Sequence, residues 1–309
     1  ERYSGVRMPP SSHDAPERCL MRSALFVPGD SEKKLTKGLG CGADCLFVDL
    51  EDSVSLDNKP TARAVTQAFL KDTIKQANRP SLFVRVNAFD TELMEADLAA
   101  IMLARPDGIV LPKSNHGQDV THLDARLRVY EAENGIDDGA TRIIAIITET
   151  AIGTLQAGTY NRSSHRLEGV AWGAEDLSAD IGALERRHAD GTYRDLFRFA
   201  RIQTLLGAVA ANVQPLDTVY PDFRDEAGFR HECEEAAKDG FTGKMAIHPA
   251  QVPIINEVFT PSDAELAKAR AIVEAFEAAG NPGVLAVDGE MLDRPHLKKA
   301  EKLLARAVG

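Results

Sequence analysis

The chain has 309 residues, 44% hydrophobic and 27% charged, the composition of a globular protein with room for one large α/β domain or two small ones. Its 36 Lys and Arg stand against 47 Asp and Glu, and the net charge of −11 argues against general binding to nucleic acid or membrane surfaces, so any site for an anion must be a local exception. Cys19, Cys41, Cys45 and Cys233 form no CxxC pair or zinc spacing, no 18-residue apolar stretch occurs, and no signal-type apolar run precedes Ala24; a cytoplasmic protein with reduced thiols is expected.

Residues 1–20, rich in Pro, Ser and charge, read as a loose arm. Strand-like and helix-like segments then alternate. A strand over Arg22–Val27 turns through Pro28–Ser31 into a helix over Glu32–Leu39, with Ser31 at its N-cap. Cys45–Leu50 is a second strand, followed by a helix from Pro60 to about Lys75; Leu82–Val86 is a third, followed by a helix near Glu92–Leu103. Gly108–Leu111 is a fourth, followed by a charged helix over Gln118–Asn134. Ile143–Ile147 and Gly169–Trp172 are the fifth and sixth, each an apolar run that ends abruptly in acid. Asn212–Leu216 and Lys244–Ile247 complete the series, separated by an acidic helix around Asp222–Lys238. Eight strand-helix repeats in about 240 residues fit a closed (β/α)₈ TIM barrel over residues 21–260 better than the alternative, an open doubly wound sheet. Residues 261–309 are a patterned extension and not a ninth repeat. They comprise a helix over Ser262–Gly280 with a Ser262/Glu265 capping box, a short strand Val284–Val287, an Asp288-Gly289 turn and a helix over Pro295–Ala307.

In a barrel, chemistry collects where strands end. The residues expected there are Pro28-Gly29-Asp30, Asp49, Glu51, Asp52, Arg85, Asn87, Lys113, Glu149, Glu175, Asp176 and His248-Pro249. Acids dominate, with Arg85 and Lys113 as the basic exceptions. Such a rim suits one Mg²⁺ held by two carboxylates and waters, with coordination positions left for an oxygen-rich substrate. Lys113 itself reads as a salt-bridged rim lysine. The first strand-helix unit carries Arg22, Lys33, Lys34 and Lys37, the basic cluster available to a polyanion.

Seven motifs, SALFVPGD (Ser23–Asp30), FVDLEDSV (Phe47–Val54), VRVN (Val84–Asn87), IVLPK (Ile109–Lys113), TETA (Thr148–Ala151), GAEDLSAD (Gly173–Asp180) and AIHP (Ala246–Pro249), occur in this order. Together they resemble the citrate lyase β-subunit-like proteins of the HpcH/HpaI aldolase superfamily, which include malyl-CoA and citramalyl-CoA lyases. The resemblance runs from about Arg22 to Ala305 and implies Mg²⁺ on Glu149 and Asp176, with Arg85 contacting the oxygen-rich end of the substrate. A late motif, MLDRP (Met291–Pro295), resembles the lyases' acid/base motif with Leu292 as a mild departure, and implies that Asp293 moves the proton at carbon. In such enzymes this tail acts as a lid on a neighbouring subunit of a homo-oligomer, a trimer or hexamer. The resemblance places CoA phosphates near the first strand-helix unit, hence near Arg22, Lys33, Lys34 and Lys37. The activity implied is cleavage or formation of a 3-hydroxyacyl-CoA thioester, giving an oxo-acid and an acyl-CoA. The alternatives are a malyl-CoA thioesterase, a lyase subunit whose thioester rides on an acyl carrier protein, and a non-catalytic CoA- or metabolite-binding protein.

Overall fold

A computed structural model describes residues 21–287 and 290–307. Met21–Thr260 form one compact unit, and the chain from Pro261 onward belongs to a second. The expected N-terminal arm and the Asp288-Gly289 turn lie outside the described residues.

The first unit alternates strand and helix throughout. Its elements are β1 (Ser23–Pro28), α1 (Glu32–Leu39), β2 (Cys45–Asp49), α2 (Lys59–Thr73), β3 (Ser81–Arg85), α3 (Met94–Ile101), β4 (Gly108–Leu111), α4 (Gly117–Asn134) and β5 (Arg142–Ile146). They continue with α5 (Ala151–Leu155), β6 (Leu167–Ala171), α6 (Ala174–Asp180), α7 (Asp195–Ala211), β7 (Gln214–Asp217), α8 (Glu226–Asp239), β8 (Gly243–Ala246) and α9 (Val252–Phe259). Each strand pairs in parallel with the next, and β8 pairs with β1 (Leu25 opposite Ala246), so the sheet closes into an eight-stranded barrel. The structure thus has the (β/α)₈ architecture and not the open sheet. Inside, Ala24, Cys45, Phe47, Phe83, Val110, Ile144, Ile146, Ala171, Leu216 and Met245 pack into one cluster. The opposite strand faces meet the helices in a larger one that includes Leu46, Val48, Ile143, Val170 and Trp172. Burial on both faces explains why these strands read as unbroken apolar runs.

Two features depart from expectation. Ser31 occupies the N-cap position of α1, yet its side chain accepts no capping hydrogen bond. The 17-residue α7 was not expected at all. Its buried side carries Phe197, Ala200, Thr204 and Ala208, while its outer side carries Leu196, Phe199, Ile202, Leu206 and Val209. With apolar residues on both sides, the polar-apolar contrast that signals a surface helix is missing.

The second unit contains α10 (Asp263–Ala278), β9 (Val284–Val287), β10 (Glu290–Asp293) and α11 (Arg294–Ala305). The Ser262/Glu265 capping box forms as expected. β10 falls between the expected turn and the expected helix, where no strand was foreseen; it is an antiparallel partner of β9, with Leu292 opposite Leu285. Phe276, Leu292 and Leu297 make the small core of this unit.

Candidate active site

The acidic rim forms at the carboxyl ends of β2 to β6. Asp49 closes β2, and Glu51 and Asp52 follow it; Arg85 closes β3, Lys113 follows β4, Glu149 follows β5, and Asp176 lies in the first turn of α6. Arg85 is the hub. Its Nε and Nη2 donate to the two carboxylate oxygens of Asp49, both at 2.7 Å, its Nη1 lies 3.0 Å from Glu51 Oε2, and its guanidinium stacks 4.7 Å over Phe26. This fork geometry fixes the plane of the group and leaves Nη1 as its least committed corner. Burial alone would lower the basicity of Arg85, but Asp49, Glu51 and Glu149 more than reverse that, so it stays charged.

Lys113 joins the other acids. It adopts a left-handed backbone conformation, φ 49°, unusual for a residue other than glycine and a mark of imposed strain. The conformation aims its backbone N–H at Glu149 Oε2, 2.5 Å away, while its Nζ reaches Glu51 Oε1 at 2.5 Å and Asp52 and Asp176 at 3.3 Å each. The expectation of a salt-bridged rim lysine holds, and the bridge runs straight across the site.

Glu149 is 3% exposed. Burial first, and then the neighbouring charges of Asp176 and Glu51, push its carboxyl up to about 8, against the opposing pull of the Lys113 N–H and Arg85. Burial also raises Glu51 despite Arg85 and Lys113. This surplus of crowded carboxylate is the electrostatic setting that a divalent cation relieves. Among the described residues no three His, Cys, Asp or Glu side chains form a closed metal cluster. A two-carboxylate site with the remaining ligands from water and substrate matches the habit of Mg²⁺, so Glu149 and Asp176 fit as its protein ligands.

Gly173 supplies the room. A Cβ built there would stand 2.6 Å from Glu149 Cγ and 2.8 Å from its Oε1, closer than side chains pack. Gly173→Ala is therefore expected to displace the Glu149 carboxylate and weaken Mg²⁺ binding about 10- to 100-fold, measured by calorimetric titration, with the barrel otherwise intact. Unchanged affinity would show that the carboxylate does not need this position.

A supporting layer holds the loop after β2. Buried Lys59 donates to the carbonyls of Leu50 and Glu51, both at 2.7 Å, and to Asn87 Oδ1 at 2.8 Å. Asn87 in turn donates to Asp97 at 2.7 Å, and Arg63 braces Asp97 at 2.7 Å. Beside this layer opens a cavity of about 480 Å³, lined by Glu51, Asp52, Leu56, Lys59, Asn87 and Lys113 among others. Sequence reading missed Lys59, Asp97 and Gly173. A lysine ahead of Pro60 in a surface helix carries no mark of facing inward, and the role of Gly173 depends on a through-space approach.

The remaining candidates scatter. Glu175 pairs with Arg186 on the exposed side of α6 and stays a neighbour of the site. His248 caps the turn after β8 and stacks 4.5 Å from Phe223. Lys33, Lys34 and Lys37 are exposed on α1, whose start lies at the same barrel end as the acids. Arg22 is not brought into that patch. It precedes β1, at the opposite end of the barrel, where its Nε and Nη2 grip Asp44 at 2.9 and 2.7 Å and its Nη1 donates to Thr260 at 2.7 Å. Asp293 belongs to the second unit, at the N-cap of α11, half-exposed and 2.6 Å from His296 Nδ1.

Known proteins are similar to this chain in sequence and fold. The chain is 36% identical over 288 residues, 93% of each chain, to the citrate lyase subunit beta of Escherichia coli K12. It is likewise 36% identical over 289 residues to a (3S)-malyl-CoA thioesterase of Cereibacter sphaeroides, covering 93% of this chain and 94% of that one. Among solved structures it resembles Mycobacterium tuberculosis CitE in complex with magnesium, acetoacetate and coenzyme A, with a TM-score of 0.73 and 33% identity over 94% of this chain and 100% of that one. Residues 22–249, the span that builds the barrel and its acidic rim, match the HpcH/HpaI aldolase/citrate lyase family, and the chain belongs to that family.

Proposed function

We propose that the protein is a Mg²⁺-dependent carbon–carbon lyase that cleaves or forms a short 3-hydroxyacyl-CoA thioester, of the malyl-, methylmalyl- or citramalyl-CoA type, with an oxo-acid and an acyl-CoA as the other partners. The observation that carries the reading is the buried Glu149 crowded by Asp176 and Glu51 at the barrel rim, with the fixed guanidinium of Arg85 in the same cluster. The metal and CoA in the CitE complex support it.

Cleavage in this reading breaks the C2–C3 bond. The hydroxyl proton leaves, a carbonyl forms on the oxo-acid half, and the bonding electron pair passes into the thioester as an enolate, whose carbon then takes a proton. Mg²⁺ on Glu149 and Asp176 would supply Lewis acidity toward the hydroxyl and carboxylate of the oxo-acid half. Arg85, preorganised by Asp49, turns Nη1 toward the charge that develops on substrate oxygen and needs no reorganisation at that moment. Asp293 carries the proton for the enolate carbon, as its motif implies. No covalent nucleophile is required. Lys33, Lys34 and Lys37 are the cations proposed for the CoA phosphates.

Purified protein incubated with malyl-CoA and citramalyl-CoA plus Mg²⁺ is expected to release acetyl-CoA with glyoxylate or pyruvate in equal amounts. Free CoA without acetyl-CoA would replace the lyase by a thioesterase, the activity in the name of the C. sphaeroides relative. Turnover only after addition of an acyl carrier protein would assign the chain to a lyase complex. Asp293→Asn is expected to keep Mg²⁺ binding and slow turnover about 100-fold or more. Mixing it with Glu149→Gln should restore part of the activity if Asp293 serves another copy's site; an inactive mixture would contradict that arrangement.

A further inference from the structure

Between the barrel wall and helices α7 and α8 lies a set of buried charges that the reaction above does not use. Asp217, at the end of β7, and Lys244, on β8, are 1% and 0% exposed, and Lys244 Nζ donates to Asp217 Oδ2 at 2.7 Å and to Glu232 Oε1 of α8 at 2.8 Å. Arg201 of α7 reaches the other Asp217 oxygen, Oδ1, at 3.3 Å. Onto that same Oδ1 the wholly buried Trp172 donates its indole N–H at 2.7 Å. A hydrogen bond to an ionised carboxylate is about twice as strong as one between neutral groups. The indole therefore has a strong acceptor whose own position is fixed from two other sides.

Trp172 stands where β6 gives way to the candidate metal site. Gly173 follows it, and Asp176 lies in the first turn of α6. Just before Trp172, the Ala171 carbonyl accepts the N–H of Ile147 at 2.9 Å, two residues ahead of Glu149, and just after it Gly173 packs against the Glu149 side chain with no room for a Cβ. The chain beyond α6 returns to the same indole. Tyr193 meets Trp172 edge-on with ring centroids 5.1 Å apart, Arg187 lies 3.7 Å over the Tyr193 ring, and Arg187 Nη2 donates to Glu232 at 2.6 Å. Both sides of α6 are thus tied to one buried ionic network.

We propose that Trp172 is a positioning residue for the metal site: anchored on Asp217, its indole sets the Trp172–Gly173 turn, and with it the places of Asp176 and of the Glu149 carboxylate. Packing alone would need the ring but not the N–H. A buried ion cluster adds little net stability over well-packed apolar groups of the same volume, so what this one contributes at the turn is a fixed acceptor in a fixed place. The inference rests on the reading of Glu149 and Asp176 as Mg²⁺ ligands.

Trp172→Phe keeps an aromatic ring in the same place and removes the N–H. Calorimetric titration with Mg²⁺ is expected to show affinity about tenfold weaker than wild type, the scale on which loss of an outer partner acts, with an unchanged far-UV spectrum. Leu70→Ala, which opens a cavity in the core near the carboxyl end of α2, should melt lower than wild type and bind Mg²⁺ as well. Because Trp172 is the only tryptophan in the chain, wild-type emission supplies a second readout that needs no variant, and it is expected to change with Mg²⁺ at the calorimetric midpoint. A folded Trp172→Phe that binds Mg²⁺ like wild type, an equal loss of affinity in Leu70→Ala, or wild-type emission that ignores saturating Mg²⁺ would overturn the proposal. Wild type that binds no Mg²⁺ at all would overturn the metal reading beneath it.

Discussion

Glu149→Gln is expected to purify as a folded barrel and to lose Mg²⁺-dependent cleavage by about a thousandfold or more, beyond the 10- to 100-fold cost of disturbing an outer partner. The substitution preserves shape and the acceptor that receives the Lys113 N–H, yet removes the negative charge that would hold a cation. Its effect on the metal-free fold should run the other way. Glu149 is buried among Asp176 and Glu51, and its charge is opposed by burial before anything else. With its carboxyl raised to about 8, Glu149 is already largely protonated near neutral pH when no metal is bound, so the neutral amide fits the same surroundings and the variant is expected to melt no lower than wild type in EDTA. Steady-state rates at saturating Mg²⁺, together with a melting curve in EDTA, check both halves. A variant that retains full rate, or one that melts well below wild type, would show that Glu149 has a structural task and not a metal-binding one.

Arg85→Met should lose both activity and stability. Arg85 neutralises Asp49, which is 1% exposed, and approaches Glu51, which is 5% exposed. Removing one member of a buried ion pair leaves the other uncompensated, at a cost of about 3–5 kcal/mol, which in a domain of this size lowers the melting temperature by about 10 °C. The pH dependence carries a sharper signature. Burial raises the Asp49 carboxyl, but its attraction and hydrogen bonds to Arg85 outweigh that and hold it below its ordinary 3.8. In wild type, this group therefore contributes stability that is present above the unfolded value and lost as the pH falls through the lower folded value. In Arg85→Met only burial and the weaker hydrogen bonds remain and the carboxyl shifts upward, so its contribution reverses sign: as the pH falls from 7 to 5 the variant should gain more stability than wild type, in which the raised Glu149 and Glu51 alone favour the lower pH. Melting curves at those two pH values decide the matter. A pH 7 to pH 5 difference no larger in the variant than in wild type would mean that Asp49 is compensated by something other than Arg85.

The barrel was legible because its strands are buried on both faces and end in acid. Ile143–Ile147 leading to Glu149 and Gly169–Trp172 leading to Asp176 announced adjacent rim positions, and the structure links both acids through Lys113. Other parts were not legible, for separate reasons. α7 shows no amphipathic contrast, since the residues facing solvent are as apolar as those facing the barrel. β10 consists of Glu290, Met291, Leu292 and Asp293, whose single buried residue, Leu292, declares itself only once β9 lies alongside. Gly173 and the left-handed Lys113 matter through contacts made across the rim, which no local pattern encodes. Arg22 is different, because the signal was present. A residue at the start of a barrel strand lies at the end away from the chemistry, and its grip on Asp44 and Thr260 follows from that position.

The central claim is that two acids from consecutive strand ends make one cation site, and calorimetric titration of metal-free protein with Mg²⁺ tests it most directly. The account predicts a single site per chain in wild type, with no resolvable binding in Glu149→Gln or Asp176→Asn. Equal affinity in all three proteins, or no binding by wild type in the presence of the oxo-acid, would contradict it.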